Sequence, residues 1–484
     1  MKRDGRQEVR AARSTGEAGE LTQEDPVEGR GSRETEPLER KMEGTKSPKD
    51  VSTKLQRIAE LARRRPSIVF TTLAHHIDVE FLRIAHQRTR KDGAVGVDQQ
   101  RSEEYALHLE DNLRALLDRF KAGSYRAPPV RRVHIPKGDG SKTRPIGIPT
   151  FEDKILQRAV TMVLEAVYEQ DFLDCSYGFR PYRSAHQALE DMRSNLMKMK
   201  GGWVLEVDIE KFFDSIDHGH LRSFLDQRVR DGVIRRQIDR WLKAGVLEEG
   251  QLHYPDAGSP QGGVISPVLA NIYLHEVLDK WFAEQVVPRL NGFARLVRYA
   301  DDFVVLFERE DDARRVLDVL PKRFGKYGLS LHPTKTRLLP FKKPPRSGGD
   351  RASRTTFDLL GFTHFWRKSH RGGHVVGRKT ARDRLRRALK RVGEWCKRNR
   401  HESVADQQRA LNRKLVGHYG YFGISGNSRG LRSFVDGVRR LWHKWLNRRS
   451  GRKSVKWDTF VALLKRYPLA RPRLVQPYRL AANP

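Results

Sequence analysis

Two adjacent aspartates set between runs of β-forming residues constrain this chain more than any other feature. Leu296-Val297-Arg298-Tyr299 precedes them and Phe303-Val304-Val305-Leu306-Phe307 follows, so Tyr299-Ala300-Asp301-Asp302 reads as a tight hairpin with both acids at its tip. A third acid ends another strand pattern. Between Trp203 and Ile209, residues Trp203, Leu205, Val207 and Ile209 share one face, which sends Asp208 to the opposite one. The expectation is an apolar core on one side of that strand and a carboxylate site on the other. If the strand lies beside the hairpin, three carboxylates meet and repel one another unless cations neutralise them. Two Mg²⁺ ions about 4 Å apart answer that need, one activating a hydroxyl and the other holding a triphosphate. The chemistry would be nucleotidyl transfer. An Asp-Asp pair alone serves equally well for local hydrogen bonding in a turn. Asp214 and Asp217 could compete as metal ligands, although their position before a helical pattern predicts caps.

Charge narrows the partners. Of 484 residues, 94 are Lys or Arg against 60 Asp or Glu, a net of +34, which makes a polyanion the leading partner. The excess is concentrated in residues 366–484, where 32 Lys and Arg stand against 6 Asp and Glu, a net of +26. Such cations can simply solvate helix faces. Their interleaving with Trp366, Trp395, Trp442, Trp445, Tyr419 and Tyr421 favours a nucleic-acid surface. No run approaches the ~18 apolar residues of a membrane span, and the first residues, MKRDGRQEVR, lack the apolar stretch of a secretory signal. No membrane partner is expected, and the expected location is the cytoplasm. Cys175 and Cys396 are too few for a disulfide framework or a Cys-rich zinc site.

Along the chain, residues 1–50 have the composition of a disordered charged tail. From 51 to 365 helical patterns alternate with short β-rich runs, predicting an α+β body whose last strand lies near Phe357–Phe362. Beyond it the pattern turns helical. Leu385, Leu389, Val392 and Cys396, then Leu411, Leu415, Tyr419 and Phe422, then Leu431, Phe434, Val438, Leu441 and Trp445 recur at helical spacing, and three amphipathic helices are expected to form one bundle over 366–447. Residues 448–484 suffice for a small basic segment.

Seven motifs follow one another in an order that resembles the reverse transcriptase/maturase proteins encoded by group II introns. They are Gly96-Val97-Asp98; Ile135-Pro136-Lys137 through Arg144-Pro145-Ile146-Gly147-Ile148-Pro149-Thr150; Ser176-Tyr177-Gly178-Phe179-Arg180-Pro181; Asp208 through Asp214; Ser259-Pro260-Gln261-Gly262-Gly263; Tyr299-Ala300-Asp301-Asp302; and Leu360-Gly361-Phe362. The resemblance spans about Phe70 to Trp445. It implies a right-hand polymerase fold, with fingers and palm in 51–365, followed by an α-helical thumb/maturase bundle in 366–447 and a DNA-binding segment in 448–484.

By the same resemblance the activity is RNA-directed DNA polymerisation, with Asp208, Asp301 and Asp302 as catalytic and metal-binding residues and Ile209 among the metal ligands. The cofactor is Mg²⁺, two ions, with Mn²⁺ as a possible substitute. Lys137 and Arg144 would contact the incoming triphosphate, and Gln261 would lie where backbone approaches the nucleotide closely. Phe213 takes the position of a steric gate against a ribose 2′-OH; ordinary core packing is its other reading. Lys335 resembles a lysine that assists pyrophosphate departure, and a solvated side chain is its alternative. Arg386, Arg387, Lys390, Arg413 and Lys414 would hold intron RNA. Partners are then group II intron RNA, a DNA target, an RNA/DNA duplex and dNTPs, with splicing assistance and retrohoming as the biological role and the oligomeric state open. Many relatives end in an HNH endonuclease carrying Cys pairs; its absence here predicts no second-strand cleavage. A reverse transcriptase of another biological setting, or an RNA-binding splicing factor whose polymerase has decayed, are the alternatives.

Overall fold

Among the described residues, apolar alternation and helical periodicity give three sheets wrapped by helices. The computed structural model describes residues 48–137, 142–248, 251–253, 258, 262–345, 355–369, 372–449 and 455–475. The tail expected over 1–50 lies outside the described residues up to 47, and Pro48–Arg64 is a helix. In chain order the strands are β1 (Val130–Lys137), β2 (Lys142–Ile148), β3 (Gly201–Val207), β4 (Val246–Glu248), β5 (Gln251–His253), β6 (Ala294–Tyr299), β7 (Asp302–Phe307), β8 (Arg337–Lys342), β9 (Phe357–Leu359), β10 (Phe362–Lys368) and β11 (His374–Thr380). They form sheets of order β2-β1-β4-β5, β6-β7-β3-β8 and β11-β10-β9. The architecture is α+β, with helices following the last strand.

The sheet β6-β7-β3-β8 is antiparallel throughout. Its central strand β7 is an unbroken apolar run from Phe303 to Phe307, buried at every residue, as a strand covered on both faces must be. On one face Leu205, Val207, Ile209, Phe303, Val305 and Phe307 join the main core. On the other, Val204, Val297, Val304 and Leu306 meet Ala188, Leu189 and Met192 in a second core. Those three belong to the helix Ala185–Lys198, which a Ser184/Gln187 capping box starts.

This corrects the expectation of a free carboxylate face on β3. Val204 shares a face with Asp208 and is fully buried, because the helix leaves only the strand end uncovered. Glu206, between them, is also buried; it pairs with Arg337 and accepts the amide of Asp358 at 3.2 Å.

A second correction concerns the end of the β region. Strands continue through β10 and β11 to Thr380, and the helix Arg382–Arg398 begins only then. β11 escapes a reading by hydrophobicity because it is mostly polar: Arg378 is buried by pairing with Glu190 at 3.1 Å. The helices Arg382–Arg398, Val404–Phe422 and Ser428–Leu446 share one core through Val392, Cys396, Leu411, Leu415, Tyr419, Leu431, Phe434 and Val438. Phe460 and Leu469 enter that same core, and Tyr419 Oη donates to the carbonyl of Ala470 at 3.0 Å. Packing therefore runs on past residue 448. Among the described residues, no helix is long and apolar enough to cross a membrane.

Candidate functional site

Register brings the three aspartates to one end of a sheet. Tyr299 pairs with Asp302 across the hairpin, and Val207 pairs with Phe303 between β3 and β7. One step further along the same antiparallel ladder sets Asp208 opposite Asp302, with Asp301 in the adjoining turn. Ala300 opens that turn in the left-handed region, at φ 56°. Asp208 and Asp301 are half-buried and Asp302 is exposed.

Beyond β3 the chain bridges to another neighbour. The amide of His332 donates to the carbonyl of Asp208 and that of Glu210 to Ser330, each at 2.8 Å, around an antiparallel bridge between Ile209 and Leu331. Backbone groups alternate sides along a strand, so the carbonyl of Ile209 is directed away from Leu331, toward the side of the Asp301–Asp302 turn. The same loop delivers Lys335, whose Nζ donates to Asp208 Oδ2 at 2.7 Å.

In kind, these donors suit a hard divalent cation: carboxylate and carbonyl oxygens at one sheet end. Among the described residues, no three His, Cys, Asp or Glu side chains converge as a ready metal cage. The backbone is assembled, whereas the carboxylates are not gathered on one point. Mutual repulsion keeps such groups apart, and the Lys335 ammonium takes one oxygen of Asp208.

The nucleotide-facing expectations divide. Phe213 is half-buried, its ring centroid 5.3 Å from that of Phe212. Asp217 caps the helix His218–Asp226, accepting from the amide of His220 at 2.7 Å, as expected, and Asp214 sits in the preceding 3₁₀ turn. Gly258, at φ 93°, lies so close to this turn that a Cβ would stand 3.0 Å from the Phe213 carbonyl oxygen. Gly262, at φ 115°, would bring a Cβ to 2.6 Å from the carbonyl oxygen of Gly147, at the end of β2. Gly258 thus lies against Phe213 and Gly262 against β2, whereas Gln261 lies outside the described residues. Lys137 pairs through its backbone with Lys142 at the hairpin end, and its side chain too lies outside them. Arg144 is exposed on β2, opposite Ile135.

In the helical region Arg386, Lys390, Arg413 and Lys414 are exposed, and Arg387 is half-buried and paired with Asp383 at 2.6 Å. Lys414 Nζ stands 5.4 Å from the ring centroid of Trp395. Arg413, Arg409, Trp395 and Asn399, with Glu402 and Asp406, line a cleft of about 570 Å³. The expected interleaving of aromatics with cations needs correction. Trp442 and Tyr419 are fully buried, and Trp366 and Tyr421 nearly so. Trp442 Nε1 donates to Gln407 and Tyr421 Oη to the carbonyl of Leu360, each at 2.8 Å. They fall on the core stripe of their elements, which leaves half-buried Trp395 and Trp445 as the accessible two of the six.

One group with a direct bearing on the site escaped the sequence reading: Arg298, Asp279 and Asn271, all buried. A lone Arg inside a strand pattern was their only signal. Burial works against the Arg298 charge, and the Asp279 carboxylate outweighs it, holding the guanidinium above its ordinary pKa.

Residues 135–364 match the family described as reverse transcriptase (RNA-dependent DNA polymerase). The chain is 33% identical over 285 residues to the group II intron-encoded protein LtrA of Lactococcus lactis subsp. cremoris, covering 56% of this chain and 46% of that one. It is 36% identical over 239 residues to protein YkfC of Escherichia coli (strain K12), covering 44% and 62%. The chain thus spans about half the length of these relatives. Among solved structures, a telomerase from Candida albicans in complex with a fragment of telomeric RNA aligns with a TM-score of 0.40 at 14% identity, over 71% of this chain and 63% of that one; so loose a likeness carries no argument.

Proposed function

Residues 135–364 match the reverse transcriptase family, and on that premise we propose that the chain copies RNA into DNA and binds a group II intron RNA to assist splicing and retrohoming. The observation that carries the polymerase reading is the register, Val207 against Phe303 and Tyr299 against Asp302, which brings Asp208 and the Asp301–Asp302 turn to the same end of the sheet. In this reading 51–365 form fingers and palm, 366–447 thumb and maturase surface, and 448–484 a DNA-binding segment.

The family generally uses divalent metal ions, and Asp208, Asp301, Asp302 and the Ile209 carbonyl would hold two Mg²⁺. Bound there, the ions would activate the primer 3′-OH and neutralise the triphosphate. The protein's own groups do the rest. Lys137, Arg144 and Gln261 orient the dNTP, Phe213 lies under its sugar and excludes a 2′-OH, and Lys335 stands ready to protonate departing pyrophosphate. Arg386, Arg387, Lys390, Arg413 and Lys414 hold RNA by its phosphates. LtrA is encoded by a group II intron, and the strongly basic helical region supports an RNA partner here.

Primer extension on an RNA template with dNTPs and Mg²⁺ tests the reading. Asp301→Ala is expected to abolish synthesis while RNA binding stays within about two-fold. Equal synthesis by wild type and variant defeats the assignment. Sequencing the RNA that co-purifies with the chain tests the intron partner.

A further inference from the structure

We propose that Arg298, Asp279 and Asn271 form a buried clamp that sets the metal affinity of the Asp208–Asp301–Asp302 corner by holding the carbonyl of Ala300. The proposal rests on the polymerase reading for the identity of that corner, and on geometry for the clamp.

Arg298 and Asp279 are both fully buried. The guanidinium donates from Nε to Asp279 Oδ1 at 2.8 Å and from Nη2 to Oδ2 at 2.5 Å. Its remaining nitrogen, Nη1, donates to Asn271 Oδ1 at 3.0 Å and to the Ala300 carbonyl at 3.1 Å. Asn271 completes the clamp by donating from Nδ2 to the carbonyl of Gly178 at 2.8 Å. Gly178 lies so near the turn that a Cβ on it would stand 2.3 Å from the Ala300 amide nitrogen. The backbone of Arg298 is fastened as well, donating to Cys175 and accepting from Tyr177 at 2.8 and 2.9 Å. The Ala300 carbonyl and the Asn271 amide that holds the Gly178 loop beside it thus both lead back to one guanidinium.

The helix opposite is built for this contact. Asn271 ends up on the same guanidinium as Asp279, eight residues on, yet in a regular 3.6-residue helix those positions sit roughly 80° out of phase. The chain from His275 to Asp279 is π-helical, and wider i→i+5 turns bring the two residues back toward one face. Such turns are rare and recur at functional sites. His275, beside Asp279, does not compete for its charge, since burial pushes the imidazole down to about 4 and keeps it neutral.

A buried ion pair is a poor stabiliser compared with apolar packing of the same volume. What this one does that apolar residues could not is hold a carbonyl. Ala300, lacking glycine's freedom, sits at φ 56°, a conformation that persists only where surroundings over-determine it. Released, the turn would relax and carry both carboxylates away from Asp208. These are positioning residues, outside the ligand set.

The test is Mn²⁺ binding to the full chain, followed by electron paramagnetic resonance. Arg298→Lys keeps the charge but cannot span Asp279, Asn271 and Ala300 together. It is expected to weaken the Asp301-dependent Mn²⁺ site about 10- to 100-fold, the range for residues that orient metal ligands, with affinity for an RNA–DNA primer-template within about two-fold. Asn271→Ala, which leaves the ion pair in place, should shift it several-fold the same way. Folded variants that bind Mn²⁺ like wild type overturn the clamp. Should Arg298→Lys not fold, Asn271→Ala decides, and an unchanged affinity overturns it. A wild-type chain whose Mn²⁺ binding is indifferent to Asp301→Ala overturns it too. If binding follows the expected order but wild type extends no primer, the clamp stands and the polymerase reading fails.

Discussion

At the residue scale, Lys335 and Asp208 are 127 positions apart in the chain and joined by a 2.7 Å hydrogen bond. A lysine so placed can shield a carboxylate or move a proton, and kinetics separate the two. Lys335→Met is expected to lower kcat about 100-fold with the dNTP KM changed less than about three-fold, the pattern of a group that acts in the transition state. A rise in the Mg²⁺ requirement alone would mark a shield. For Phe213, replacement by Ala should raise the kcat/KM of rNTPs relative to dNTPs about 10- to 100-fold, read from single-nucleotide incorporation. His364 contributes to the pH dependence of stability. Stacked on Phe357, it is pushed from its ordinary 6.5 to about 3 by burial and by the nearby charge of Arg378. Between those values the unfolded chain is protonated and the native imidazole is not. The contribution is therefore complete above about 6.5 and is lost as pH falls toward about 3. Urea midpoints at pH 7 and 4.5 should lie closer together in His364→Phe than in wild type.

At the element scale, two contacts decide whether separate pieces act as one. The helix Trp457–Arg466 inserts Phe460, fully buried, into the core of the three preceding helices. Phe460→Ala should cost about 3–5 kcal/mol in urea unfolding, as for other buried aromatics; a loss under about 1 kcal/mol would show this helix to be a loose appendage. The loop Ser176–Pro181 meets the β6–β7 turn through Gly178, where backbone opposes backbone and nothing flexible can yield. Gly178→Ala should therefore displace the turn. Displacements near 1 Å cost about 100-fold in rate, and we expect that loss in primer extension with an unchanged circular dichroism spectrum.

At the scale of the whole molecule, charge sets the mode of binding, since +26 of the +34 net charge lies in residues 366–484. Counterion release makes the logarithm of RNA affinity fall linearly with that of salt, by about 0.7 to 0.9 per neutralised phosphate. Arg386→Gln combined with Lys390→Gln should flatten the slope between 50 and 200 mM salt by about 1.5 if both contact phosphate; an unchanged slope places the RNA elsewhere. What a reader of the chain alone could establish is what short windows carry: the alternation of β3, the hairpin around Asp301 and Asp302, three apolar repeats in the last helices, the basic excess, and the ordered motifs. The alternation, the hairpin and the three repeats are local periodicities, and each held as secondary structure. Tertiary structure decided the rest. A period of two says which residues share a face of β3 but not that β7 lies beside it with Val207 against Phe303, nor that Ala185–Lys198 covers the second face. Nor does any window show that Arg298 finds Asp279, that Arg378 is buried against Glu190, or that Trp442 and Tyr419 turn inward. Whether a charge can be buried depends on a partner far off in the chain, and strand register is set by packing across the sheet; both come into being only when distant segments meet.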